Sequence, residues 1–317
     1  MSPRSAAPSG YRQLGNRFQK VQALDRLPHL AGRVALVTGG TDGVGRSLAD
    51  ELARARATVV LTARNRPKGD RVRAEIAAAT GNDDVHVVDI DLAELASVRA
   101  GADAVVERWE RIDLVICNAG SQAHGARTVT TDGLETTFGV NHVAHALLVQ
   151  LLDEQIRAGA PSRVVVVASE AHRRARGGLD FGDLMMARGK FRPMLAYNRS
   201  KLANILYTRE LARHLAGSGV DVNAAHPGGV DTPMMRGNFR NPALHAMYPL
   251  VRPVFISPDD AAAGVLRVAL DPALAGTTGE YFELGVKKEP SAAARDDAAA
   301  RRLWSVTEEL LASPSSR

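Results

Sequence analysis

Cysteine is almost missing from this chain, with Cys117 its only example. One thiol excludes a disulfide framework and a cysteine-built metal centre, and it fits a reducing compartment. Aromatic residues are sparse at 4%, although the hydrophobic share of 45% is ordinary for a globular protein. No apolar run reaches the ~18 residues of a spanning helix. The first thirty residues carry no apolar stretch with a small-residue cleavage site, so no secretory signal is expected. The net charge of +5 is modest and dispersed, which does not support nucleic-acid binding. His142 and His145 have no acids or cysteines at metal-ligand spacing and read as ordinary helix residues, so no metal is expected. A soluble, cytoplasmic protein is the expectation.

What the chain does have is a regular alternation of strands and helices. Residues 1–30 read as an extension, disordered over Ser2 to Gly10 and a basic amphipathic helix over Tyr11 to Leu27. Short apolar runs then mark seven strands, at 33–38, 58–62, 85–90, 112–116, 163–168, 220–225 and 279–284. Helical periods separate them. The fold class is α/β: a single Rossmann domain over 31–290 with a doubly wound, seven-stranded parallel sheet. Residues 291–317 form a helical tail, packed on the core or on a sister subunit. Two long connections, 170–196 and 229–258, stand at the substrate side. The first is rich in arginine. The second is rich in Met, Leu, Phe and Pro over Met234 to Pro258, which suggests a cover over a lipophilic substrate.

The first strand runs into Thr38-Gly39-Gly40-Thr41-Asp42-Gly43-Val44-Gly45 and then a helix. Glycines let a backbone turn tightly and approach a pyrophosphate, whose charge sits at the helix N-terminus. After the second strand stands Arg64, where an acid would bind ribose hydroxyls and an arginine accommodates a 2′-phosphate. NADP(H) is therefore the expected cofactor, with NAD(H) left open, because Asp42 would act against that phosphate. Asp91, followed by Leu92, is either an adenine partner or a helix N-cap. Asn118-Ala119-Gly120 closes the fourth strand, where small residues suit a cofactor lying across the sheet. Asn141 interrupts an apolar helix stripe, so its amide is either satisfied structurally or placed for function. Ser169 ends the fifth strand.

Tyr197-Asn198-Arg199-Ser200-Lys201 opens a helix carrying Leu202, Ile205, Leu206, Leu211 and Leu215. A phenol and an ammonium four residues apart share a helix face, and a nearby ammonium lowers a phenol's pKa. Tyr197 is then a candidate general acid or base.

These stations, together with Pro227-Gly228 and Thr232, resemble the short-chain dehydrogenase/reductase family over residues ~31 to ~290, in the family's order. The stretches Val140-Asn141-His142, Ala168-Ser169-Glu170-Ala171-His172 and Tyr197 to Asn204 resemble its retinol-dehydrogenase-like branch. Asp42 and Val166 depart from the pattern. The resemblance implies catalysis by Asn141, Ser169, Tyr197 and Lys201. Tyr197 moves the proton, Ser169 holds the substrate oxygen, and Asn141 anchors a relay water. It also implies cofactor contacts from Thr38, Gly39, Thr41, Asp42, Gly43, Val44, Gly45, Arg64, Asp91, Leu92, Asn118, Ala119 and Gly120. Further contacts come from Tyr197, Lys201, Pro227, Gly228, Val230 and Thr232. The expected function interconverts an alcohol with a ketone or aldehyde on a small, lipophilic molecule. Homodimer and homotetramer stay open, and no counterpart of the mammalian members' membrane anchor is expected. A non-catalytic NADP(H)-binding sensor or scaffold is the alternative.

Overall fold

The computed structural model describes residues 10–236 and 248–312. Two strands stand apart, β1 (Tyr11–Gly15) and β2 (Lys20–Leu24). The main sheet uses β3 (Val34–Val37), β4 (Thr58–Ala63), β5 (Val85–Asp89), β6 (Leu114–Cys117), β7 (Ser162–Val167), β8 (Val220–His226), β9 (Tyr281–Glu283) and β10 (Val286–Lys288). Their order is β10-β9-β8-β7-β6-β3-β4-β5. All neighbours are parallel except β9 and β10. The sheet therefore has eight strands where seven are expected from the sequence. The extra strand is three residues, Val286-Lys287-Lys288, too short and too polar to register as an apolar run.

The sheet is buried on both faces because its strands alternate. Leu36, Val60, Val115 and Val164 face the helices Leu95–Arg108, Ala144–Leu151, Pro193–His214 and Asp297–Ala312. Ala35, Val59, Leu114 and Val165 face Gly43–Arg54, Arg66–Thr80 and Pro258–Leu270. Local chemistry starts these helices where the sequence allows. Asn65 caps the second helix by accepting from Lys68 N, with Pro67 in its first turn. Ser257 caps Pro258–Leu270 in the same way, through Asp260 N.

The predicted helix over Tyr11 to Leu27 is instead a hairpin, pairing Tyr11 with Leu24 and Gly15 with Lys20. Asn16 decides this. Its Oδ1 accepts from Phe18 N and Gln19 N at 2.9 and 3.0 Å, turning the chain locally. Val21 and Ala23, two apart, are then the buried pair.

The tail packs on its own core. Trp304 stacks between Tyr207 and His214, and Thr307 Oγ1 lies 2.9 Å from His142 Nε2. Among the described residues no helix is long and apolar enough to cross a membrane. β3 lies between β4 and β6, parallel to both, so the winding reverses between β3 and β6. Ligands of open α/β sheets bind at the carboxyl ends beside such a reversal. Here those ends carry Thr38 and Asn118.

Candidate active site

Thr38 is fully buried, and its Oγ1 accepts from Asn118 N and Ala119 N, both at 2.9 Å. Asn118 Nδ2 returns a bond to Thr38 O at 2.9 Å. The two strand ends that flank the reversal are thereby tied together. Gly45 must be glycine here: a Cβ on it would stand 2.2 Å from Gly39 O and 2.5 Å from Asn118 Nδ2. The turn and the strand end pack that closely, with Thr41, Gly43 and Val44 between them opening the Gly43–Arg54 helix.

Asp42 caps that helix through Gly43 N, and Lys68 Nζ lies 2.9 Å from its Oδ2. The Lys68 hydrogen bond holds the Asp42 carboxyl below its usual range. Lys68 was not singled out from the sequence; it lies in the first turn of the Arg66–Thr80 helix, which begins just after Arg64. Arg64 is exposed just beyond β4.

Asp91 is not the N-cap of the helix that follows. Its Oδ1 accepts from Ala93 N at 2.9 Å, in a turn ahead of the helix, whose own cap position is Glu94. The Leu92 side chain is buried in the core, so only its backbone is left for a ligand.

Asn141 lies in a π-helical turn, Gly139–Val143, and is fully buried. Its Oδ1 accepts from Ser121 N at 2.6 Å. Its Nδ2 donates to Ser121 O and to Ser200 Oγ, both at 2.9 Å. Ser200 Oγ in turn donates to Tyr197 O at 2.9 Å. The amide is satisfied structurally, joining the Gly120 strand end to the tyrosine helix.

Ser169, Tyr197 and Lys201 come together at the carboxyl end of β7. Ser169 Oγ accepts from Ala171 N at 3.2 Å and stands beside the Tyr197 phenol. Lys201 Nζ donates to Val167 O at 2.8 Å and stands 5.8 Å from the Tyr197 ring centroid. Burial lowers the Lys201 amine to about 8. The expectation that Lys201 lowers the Tyr197 pKa is corrected here. Burial raises the phenol, although Tyr197 keeps part of its surface open, and the neighbouring Ser169 hydroxyl acts the other way.

Three histidines surround this cluster: His145, expected from the sequence to be an ordinary helix residue, and His172 and His226, given no role there. His145 and His226 are buried and held neutral, at about 4 and about 3, mainly by burial, with the Lys201 charge adding to it. His172 Nδ1 lies 2.7 Å from Ser169 O, and its Nε2 accepts from Ser291 N at 3.1 Å. On the far side, Pro227 and Gly228 follow β8, Val230 pairs with Ile256, and Thr232 packs on Gly43. Of the predicted cover, residues 237–247 lie outside the described residues. Among the described residues no group of acids, histidines and cysteines could hold a metal ion.

A glycine turn at a sheet reversal, with a Ser-Tyr-Lys cluster beside it, defines a nucleotide-binding oxidoreductase. Comparison with known proteins agrees. A family model described as Enoyl-(Acyl carrier protein) reductase matches residues 39–284. Retinol dehydrogenase 13 of Homo sapiens is 38% identical over 296 residues, which is 91% of this chain and 88% of that protein. A crystal structure of an uncharacterized protein from Mycobacterium Paratuberculosis superposes with TM-score 0.71 at 32% identity, over 90% of this chain and 95% of that one. The Pseudomonas aeruginosa RhlG/NADP active-site complex gives TM-score 0.65 at 27% identity, over 81% and 97%. The chain belongs to the short-chain dehydrogenase/reductase family, in its retinol-dehydrogenase-like branch.

Proposed function

We propose that this protein is an NADP(H)-dependent oxidoreductase that interconverts an alcohol and a ketone or aldehyde on a lipophilic small molecule. The observation that carries the reading is the Tyr197 phenol beside the Ser169 hydroxyl, with the Lys201 ammonium 5.8 Å from the phenol ring. The residues suit the dinucleotide. The turn at Gly45 has no room for a Cβ, and a helix begins there. Arg64 and Lys68 supply positive charge beyond β4. NADP(H), held by these groups, supplies or takes the hydride.

At neutral pH the raised phenol and an amine of about 8 give a neutral tyrosine beside an ammonium. That pair can donate a proton from Tyr197 Oη to a carbonyl oxygen and then stabilise the phenolate left behind. The Ser169 hydroxyl, beside the phenol, is placed to turn its hydrogen to a substrate oxygen. Asn141 has both side-chain N–H groups engaged. A relay water held by Asn141 therefore donates to one of its oxygens, Oδ1 or the main-chain carbonyl. The lipophilic character rests on exposed apolar residues of the two long connections, Met194 at 47% and Leu250 at 79% exposure. It also rests on the kinship with proteins named retinol dehydrogenases. The single thiol, Cys117, is buried, and burial pushes it up to about 12. A reducing, cytoplasmic location belongs to the same proposal.

The test follows NADPH consumption against retinoid, steroid and polyketide-like carbonyls, with NADH in parallel. A clear NADH preference removes the Arg64 reading. Cofactor binding without turnover on any carbonyl or alcohol favours a sensor or scaffold instead.

A further inference from the structure

The β1–β2 hairpin stands outside the main sheet, and an isolated two-stranded ribbon is marginal by itself. Its base is held by Val21 and Ala23, both buried, and by Gln22 N, which donates to Leu284 O at 2.8 Å. Docked this way, its tip reaches both limbs of the segment that leaves β8 and returns to the Pro258–Leu270 helix.

Asn16 Nδ2 lies 3.0, 3.2 and 2.9 Å from the carbonyl oxygens of Pro253, Val254 and Phe255 on the returning limb. Gln19 joins the two limbs. Its Nε2 donates to Gly229 O at 3.0 Å and to Val254 O at 2.8 Å, and its Oε1 accepts from Gly229 N at 2.7 Å. The limbs also pair with each other, Ile256 N donating to Gly229 O at 3.0 Å. The glycines of Pro227-Gly228-Gly229 make room for this. A Cβ on Gly228 would stand 2.8 Å from Gln19 Oε1, and one on Gly229 would stand 3.2 Å from Gln19 Nε2. A few residues on, Thr232 presses against the glycine turn: a Cβ on Gly43 would stand 3.3 Å from its Cγ2. The outgoing limb is thus held between the hairpin tip and the turn that faces the dinucleotide.

We infer that Gln19 and Asn16 are positioning residues for the cofactor: the hairpin tip sets the place of Gly228 to Thr232 over the glycine turn. The inference rests on the dinucleotide-dependent reading above. Both side chains are neutral amides acting on main-chain groups, so their effect is independent of pH and salt. That separates it from the charge effects at Asp42 and Lys68.

The experiment uses the full chain carrying Asn16→Ala, Gln19→Met, both together, or Gln19→Glu. Binding of NADPH and NADH is followed by fluorescence titration, with kcat, KM and backbone hydrogen exchange alongside. Losing several neutral hydrogen bonds should weaken both dinucleotides roughly ten-fold in the double variant, with kcat at saturating cofactor within about two-fold. Exchange at Gly229 and Ile256 should quicken. Gln19→Glu keeps the acceptor for Gly229 N and loses both donated bonds, so it should also bind less tightly. Should the double variant fail to fold, Gln19→Glu carries the comparison. A lowered melting temperature with unchanged dissociation constants and unchanged KM overturns the inference and leaves the hairpin a purely structural brace. Failure of the wild type to bind either dinucleotide overturns the proposed function itself, and this inference with it.

Discussion

Thr38 Oγ1 and His145 Nε2 lie 2.9 Å apart, closer than Thr38 Oγ1 and Ile116 O at 3.4 Å, and the bonds around them favour one proton arrangement. His145 Nδ1 faces Asn141 O at 3.2 Å, and a carbonyl only accepts, so Nδ1 carries the hydrogen. The neutral ring then accepts at Nε2, and Thr38 is the donor. The same hydroxyl gathers Asn118 N and Ala119 N. One buried threonine therefore links the glycine turn, the β6 end and the π-helical turn at Asn141.

Removing that hydroxyl should be costly. Thr38→Val leaves Asn118 N, Ala119 N and His145 Nε2 without their partner, and a loss of roughly 2–4 kcal/mol is expected. Thr38→Ser keeps the hydroxyl and should stay within about 1 kcal/mol of wild type. Urea unfolding of both variants checks this. A loss in Thr38→Val no larger than that in Thr38→Ser would overturn the role given to the hydroxyl.

Acid should destabilise the fold well before the carboxylates titrate. His142, His145 and His226 are held neutral, at about 3, about 4 and about 3, chiefly by burial. In the unfolded chain a histidine takes its proton near pH 6.5. Between that pH and the folded values the unfolded state binds more protons, so stability falls as pH falls. The limiting slope is about 1.4 kcal/mol per pH unit for each such imidazole. Aspartates held low, such as Asp42 and Asp231, lose their contribution only below their unfolded value of 3.8. Unfolding midpoints at pH 7, 6 and 5 read the histidine window alone, and a flat profile there would refute the buried neutral assignment.

Tyr197→Phe should abolish turnover while dinucleotide binding persists, read by single-turnover kinetics beside fluorescence titration. Near-wild-type turnover would sink the assignment of Tyr197 as proton donor. In the wild type the Lys201 charge is present below about 8 and lost above it. Carbonyl reduction should therefore decline as pH rises past that value.

Asp42→Asn should strengthen NADPH binding roughly five-fold at low salt, because it removes a negative charge and frees Lys68 for the phosphate. Lys68→Ala should act in the opposite direction. NADH binding, lacking the 2′-phosphate, should change little in either. An equal gain for both cofactors would place Asp42 away from that phosphate.

Much of the site is written locally. Thr38 to Gly45, Asn118 to Gly120 and Ser169 each follow a recognisable apolar run, and Tyr197 to Lys201 lead into apolar residues at helical spacing, so their places at strand ends or on a helix can be read from spacing. The misreadings share a cause. Tyr11 to Leu27 has a weak helical period, and turn chemistry at Asn16 outweighs it. β10 has too few apolar residues to announce a strand. The tyrosine–lysine spacing gives proximity on a helix but not the burial around it, and burial sets the direction of both pKa shifts.

The sequence alone determined the βα order, the glycine turn and the candidate reacting groups, because periodicity and turn residues act over a few neighbours. Only the tertiary structure decided which distant groups meet. Gln19 on Gly229, Lys68 on Asp42 and His145 on Thr38 are contacts between elements far apart in the chain. No local pattern encodes such a contact, since each needs both elements packed before its polar atoms come within bonding distance.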